Sequence, residues 1–418
     1  MNPSPRTALR VFIPFALGYF LSYLFRVVNA VIAPDLVQDL GIDPSQLGLL
    51  TSTYFIAFAS SQLPLGLLLD RFGPRIVESI LLVFAAVGAV MFAWSTSLTG
   101  VIVGRALIGF GVSACLMAAF KSYVLWFPRN LWPRVNGFQM AAGGLGALSA
   151  TIPVEWTLGM TDWRGLFLGL GALTLAIALT VFFVVPEKTA QGPRESFGSQ
   201  LRGVRQVFTS WDFWRTAPLT TLSQATFLSV QGLWAGPWLR DMAGMDRMGA
   251  AQVLSWIAGA MIVGFIVLGF AAERLSRAGV TVLTTAVTGM GVFMGVQALI
   301  ILNGQVWAVP LWIGFGFSGT SGIIAYAAMS QSFPVRLSGR VTTGINLLVF
   351  IAAFAGQWAI GSIINLWPVT AQGHYHPSGY QAGFSLVLGL QALTLVWFIL
   401  AGLRKHPVVT PDTGDTGA

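Results

Sequence analysis

Long apolar runs alternate with short polar breaks along nearly the whole chain. A helix that crosses a bilayer needs about 20 mostly apolar residues. Twelve such runs are predicted, near 9–34, 46–69, 75–96, 99–126, 134–158, 164–185, 216–239, 250–272, 279–302, 307–332, 339–366 and 381–403. In lipid the backbone must satisfy its own polar groups, which predicts helices rather than isolated strands. A polar segment at 186–215, with Pro186, Gln191, Gly192, Pro193, Ser196 and Ser199, divides the runs six and six. The pattern therefore predicts an all-α polytopic membrane protein of 12 transmembrane helices in two six-helix bundles. The bundles are residues 1–185 and 216–405, joined by a cytoplasmic linker at 186–215. The tail at 406–418 is polar and holds Thr and Pro, which predicts disorder.

Composition agrees with lipid as the solvent. The 418 residues are 55% hydrophobic and 9% charged, against about 25% charged in soluble domains. The net charge of +8 raises nucleic acid as a partner, but the bases are spread through the breaks between apolar runs. With both termini cytoplasmic, 17 of the 23 Lys and Arg fall in cytoplasmic segments. Only Arg164, Arg240 and Arg247 fall in outer loops, and Arg26, Arg105 and Lys121 lie inside runs. That asymmetry fixes orientation by the positive-inside rule and removes nucleic acid as a partner. The first run, after Arg6 and Arg10, reads as a retained helix and not a cleaved signal. The lone Cys115 excludes a disulfide within the chain and reads as packing. No Cys/His spacing suggests zinc. No nucleophile elbow, phosphate loop or metal triad stands in the chain, so neither an enzyme nor a cofactor is expected.

The chain repeats itself. Gly66-x-x-x-Asp70-Arg71, inside GLLLDRFGPR, follows the second run, and Gly269-x-x-x-Glu273-Arg274 follows the eighth. IGFGVSACLMAAFKSYVLWFP (108–128) has a counterpart in IGFGFSGTSGIIAYAAMSQSFP (313–334). Arg134-Val135 opens the fifth run and Arg340-Val341 the eleventh. Three correspondences in one order predict two homologous halves in parallel orientation. With GLLLDRFGPR and RALIGFG (105–111), the chain resembles the major facilitator superfamily of secondary transporters. The resemblance covers nearly the whole chain. It implies alternating access, a gate role for Gly66, Asp70, Arg71 and Arg75, a weaker second copy in Glu273, Arg274 and Arg277, and a role in structure or proton transfer for Arg105. YLFRVVNAVIAPDLV (23–37) is similar to the first span of organophosphate and organic-anion transporters, which places Arg26 at the substrate. The seventh run has Ser229, Gln231 and Trp234 where phosphate-ester carriers have a second arginine. The fifth lacks the Gly-Pro-Gly-Gly pattern of drug antiporters, which favours import.

Charge inside a span costs at least about 2.5–3.5 kcal/mol, so each buried ion needs a reason. Arg26 and Asn29 are three apart and share a helix face. Lys121 is a second candidate for an anion, with snorkelling as its alternative. Tyr54, Gln231, Trp234, Tyr326 and Asn346 complete the expected binding set. Glu155 stands near the outer end of the fifth run and is the candidate for proton coupling, with Arg105. Glu78 reads as a partner for the loop bases. The pair His374-x-His376, and Met242, Met245 and Met248, are weak metal candidates. Two fixed positive charges exceed the buried acids, so the expected solute is a small organic anion moved inward with protons. The expected setting is a bacterial inner membrane, as a monomer. Open alternatives are an exporter, a metal-chelate or siderophore carrier, and a membrane sensor or assembly factor that does not transport.

Overall fold

The computed structural model describes residues 4–128, 131–187, 197–303, 305–371 and 373–403. All regular structure among them is helical. The first set of helices is α1 (Pro5–Val27), α2 (Asn29–Leu40), α3 (Pro44–Trp94), α4 (Leu98–Gly111), α5 (Cys115–Trp126), α6 (Trp132–Ser149), α7 (Ile152–Leu158) and α8 (Trp163–Val184). After α9 (Phe197–Phe208) comes a second set: α10 (Trp211–Ser229), a π turn (Val230–Trp234), α11 (Ala235–Asp241), α12 (Arg247–Arg277), α13 (Val282–Asn303), α14 (Ala308–Ser318), α15 (Ser321–Gln331), α16 (Val335–Ile364) and α17 (Pro377–Leu403).

Nine helical stretches among the described residues are long and apolar enough to cross a membrane, with Pro44–Trp94 counted once. Gly73 breaks that helix at φ +78, so the second and third predicted runs are its two arms. A side chain is strained in that left-handed region, which is why glycine stands between the bases of the DRFGPR turn. The fifth run is divided into α6 and α7, and the seventh into α10, the π turn and α11. Several helices begin on acid or hydroxyl caps. Asp43 and Gln46 form a reciprocal capping box, and Ser97, Asp162 and Asp246 each accept a backbone N–H. Outward-facing apolar side chains such as Phe183, Phe270 and Leu393 remain exposed, as a lipid-facing wall requires.

Within the first set, α1 packs on α5, α6 and α8, and α3 on α4 and α8. Within the second, α10 packs on α15, α16 and α17, and α12 on α14. The sets meet along α3 and α16, where α12 crosses α6 and α7, and where α2 meets the π turn and α11. The α3–α16 contact runs antiparallel. Ser45 bonds Ser362 at 3.0 Å, Phe58 stacks on Phe350 at 4.1 Å, and Asn346 donates to Gln62 at 3.0 Å. A Cβ on Gly48 would stand 3.0 Å from the Gln357 carbonyl, so glycine sets this close approach.

The predicted linker is not all irregular. Its described part holds α9, which lays Val207 against Phe213, Leu337 and Val341. Residues 188–196 and the tail at 406–418 lie outside the described residues.

Candidate functional site

Tyr19, Tyr23 and Arg26 recur at four and three residues along α1 and so share one face. Arg26 is 8% exposed. Its guanidinium lies 4.5 Å from the centre of the Tyr23 ring, 5.6 Å from Phe58 and 5.3 Å from Phe350. Tyr19 and Tyr23 meet edge to face at 5.2 Å. Tyr326 of α15 lies within electrostatic reach of both Tyr23 and Arg26. The cage thus draws on α1, α3, α15 and α16. Desolvated cation–π contacts are worth about 2 kcal/mol, so rings alone repay much of the cost of burying this charge. No acid among the described residues pairs with Arg26, and its Nε has no hydrogen-bond partner there. Tyr54 stands beside a second buried arginine, Arg105, whose guanidinium lies 4.9 Å from the tyrosine ring. The Nε and one terminal nitrogen of Arg105 also lack a partner among the described residues. Two cations share Tyr54, whose hydroxyl donates to the Ser22 carbonyl at 3.0 Å.

Other expected binding residues are committed elsewhere. Lys121 is a correction: its ammonium is bound to Asp70, away from the cage. From its helical position Lys121 reaches the α3 arm just before the Gly73 turn, and the nearest acid takes it. Trp234 is another, because its Nε1 donates to the Gln357 carbonyl at 2.9 Å and its ring packs against both Gly48 and Gly361. Gln231 points at the Met261 sulfur at 3.8 Å. Asn29 donates to Thr51 at 3.0 Å, leaving its Oδ1 unpartnered among the described residues. Asn346 faces Gln62 across the two sets. Glu78 is fully buried, and among the described residues no loop base pairs with it. That corrects its reading as a partner for loop bases, since Arg75 turns instead to the Val185 carbonyl and Glu187.

A second polar centre joins the two sets. Arg247, at the start of α12, makes a two-bond fork with Asp35 of α2 at 2.8 Å each and bonds Glu155 of α7 at 2.8 Å. Outside this knot opens a crevice of about 920 Å³ lined by Asp39, Trp156 and Trp163 among others. It leads to the knot and not to Arg26.

The sequence profile of the Major Facilitator Superfamily matches residues 15–357. The chain belongs to that superfamily. It is a multi-pass membrane transporter and not an enzyme. A probable sulfoacetate transporter of Cupriavidus necator is 26% identical over 346 residues, 73% of this chain and 80% of its own length. The hexuronate transporter of Escherichia coli K12 is 30% identical over 172 residues, 41% of this chain and 40% of its own. The membrane sensor protein UhpC of Salmonella typhimurium is 21% identical over 428 residues, 94% of this chain and 91% of its own. The fold matches a bacterial homolog of the human lysosomal transporter Spinster, with a TM-score of 0.77 at 14% identity over 96% of this chain and 98% of that one.

Within this superfamily member, the expected gate residues stand at the end opposite Arg247. Asp70 holds Lys121, Arg71 lies 5.3 Å from the Phe72 ring, and Arg75 reaches Val185 and Glu187. Glu273 pairs with Arg277 one turn on in α12, and Arg274 follows it in the same exposed turn. None of these ion pairs joins one set of helices to the other. Gly66 lies on the same arm of α3. The two histidines turn to other partners. His374 Nδ1 meets Asp241 at 2.7 Å, and His376 Nδ1 accepts the Ser378 N–H. Among the described residues no group of three His, Cys, Asp or Glu side chains that could hold a metal forms. Sequence reasoning missed Phe58, Phe350 and the Arg247 knot. An aromatic residue in a span carries no mark of what it packs on, and a base in a loop reads first as a topology signal.

Proposed function

We propose that the protein is a proton-coupled secondary transporter that imports a small organic anion, with Arg26 as the anchor for the anion. One observation carries this reading: Arg26 is a buried guanidinium held by rings and left without an acid. Its guanidinium, whose Nε has no partner among the described residues, can offer two parallel hydrogen bonds to a carboxylate or sulfonate. A fixed positive charge in a low-dielectric chamber also repels cations. The relatives support the charge class, since sulfoacetate and hexuronates are small organic anions.

The positive-inside count supports an inner-membrane protein with Asp70 and both termini at the cytoplasm. The Arg247 knot is then an outer gate, closed here, and Asp70 belongs to an inner gate at rest. Residues 1–185 rock against 216–405 to exchange the two. When the outer gate parts, Glu155 loses Arg247 and becomes free to take a proton; Arg105, beside Tyr54, is the second residue we assign to proton coupling. The chain works as a monomer, since cage and gates are complete within it. A sensor without transport is the second reading, favoured by the length of the match to UhpC. Uptake in proteoliposomes, with and without an inward proton gradient, separates these. Gradient-driven accumulation of carboxylates or sulfonates is expected. Uptake of only cations or neutral solutes overturns the anion reading, outward pumping favours an exporter, and binding without uptake favours the sensor.

A further inference from the structure

Glu78 lies in the first turns of the second arm of α3 and is fully buried. Among the described residues neither carboxyl oxygen has a hydrogen-bond partner. Its Oε1 meets Gly18 of α1, where any larger side chain would collide with it. The Cys115 sulfur of α5 stands at the same point, and a thiol is a weak donor. Tyr123 of α5 is within electrostatic reach, but its hydroxyl donates to Gln139 at 2.6 Å. The bases nearby are all engaged or distant. Arg75, one turn back on α3, reaches Val185 and Glu187, and Lys121 of α5 holds Asp70. Arg26 is eight residues beyond Gly18 on α1, about 12 Å at a rise of ~1.5 Å per residue.

A bare carboxylate in such a place has no counter-charge and at most one weak thiol donor to replace water, whereas the neutral acid leaves only a weak dipole unmatched. We propose that Glu78 is an interior proton-binding site of this protein, protonated where it lies buried without a counter-charge, and that the charge of a bare Arg26 weakens its hold on the proton. The proton is taken from and returned to water, and no other bond changes. Glu78 and Arg26 sit in the same set of helices, so their spacing persists while the two sets move. An anion on Arg26 removes the field that favours ionised Glu78, so anion and proton bind together. That coupling rests on the proposed function; the proton site itself does not.

The test is infrared spectroscopy of the full chain in lipid nanodiscs, which reads the carbonyl stretch of protonated carboxyls. At neutral pH the wild type is expected to show such a band, shifted in heavy water and lost in Glu78→Gln. In Arg26→Gln the band should persist to a proton concentration about tenfold lower, the size of one unit charge acting over that distance at an effective dielectric constant near 20. Identical spectra for wild type and Glu78→Gln overturn the proposal. If Glu78→Gln does not fold, Cys115→Ala serves instead, because removing the thiol beside the carboxyl must move the band, and an unmoved band overturns the proposal equally. A band that is present while uptake in proteoliposomes ignores the proton gradient overturns the coupling and leaves the proton site standing.

Discussion

Arg247 and Arg26 are the same side chain put to opposite uses. Arg247 is partly exposed and has two carboxylates, both brought from the other set of helices. Arg26 is buried and has none among the described residues. A guanidinium whose forks are filled by the protein ties two parts together. One that has no carboxylate partner, and whose charge is borne by rings, is suited to an anion that comes and goes. The contrast teaches that the burial of a cation says less than the identity of what neutralises it. It also separates the two centres by chemistry, so each can be disturbed without the other.

The largest effect is expected at Arg26. Arg26→Lys keeps the charge and loses the fork, so binding of a carboxylate should weaken by about 1.5–3 kcal/mol, the range for a hydrogen bond to a charged group. Arg26→Ala should be worse. Titration of folded protein with the anion that proves to be carried checks this, and unchanged affinity in Arg26→Lys would remove Arg26 from the site. Arg247→Gln should leave affinity nearly intact and break the knot instead.

The knot comes next. Its ion pairs are partly exposed, and such pairs are worth up to about 1 kcal/mol, so losing one shifts the balance of the two access states about fivefold. Asp35→Asn and Glu155→Gln should therefore both raise labelling of a cysteine placed behind the gate, for example at Ala251. They should part on proton coupling. Glu155→Gln should weaken proton-driven accumulation while sparing exchange of substrate for substrate, and Asp35→Asn should not. Equal accumulation in the two variants would strip Glu155 of a coupling role and leave it only a latch.

Asp70→Asn is expected to act on the cycle at the opposite end. It frees Lys121 and removes the acid of the GLLLDRFGPR turn, so transport should fall several-fold at unchanged affinity. Unchanged transport would deny the turn a gate role.

These centres were unequally legible in the sequence. The spans were readable because run length is a direct consequence of bilayer thickness. The Gly73 break was marked by the glycine and proline of its turn. Arg26 stood out as a charge in an apolar run. Lys121 stood out for the same reason and was misread, because the acid that engages it, Asp70, lies 51 residues away on another helix. The Arg247–Asp35 fork joins residues 212 apart, and nothing local in either segment announces it. Phe58 and Phe350 were invisible as cage walls, since thirty phenylalanines offer no contrast among themselves. What local pattern encodes is the element and the lone charge; what only the fold supplies is the partner.

The smallest effect tests the cage itself. If rings bear the charge of Arg26, the face of Tyr23 matters and its hydroxyl does not. Tyr23→Phe keeps the face at 4.5 Å from the guanidinium and should change anion affinity little. Tyr23→Leu keeps bulk and apolar character but loses the quadrupole, and should cost about 0.5–2 kcal/mol in anion affinity or in stability, the range from an exposed to a desolvated cation–π contact. The direction separates two accounts. If Tyr23 acts by donating its hydroxyl to the substrate, Tyr23→Phe should be the worse variant, because a polar partner would then be left unpaired. If it acts as a wall for the cation, Tyr23→Leu should be worse. Paired titrations and melting curves of the two variants decide, and a larger loss in Tyr23→Phe would mean that the receptor arginine is held by hydrogen bonds after all, which would erase the difference from Arg247.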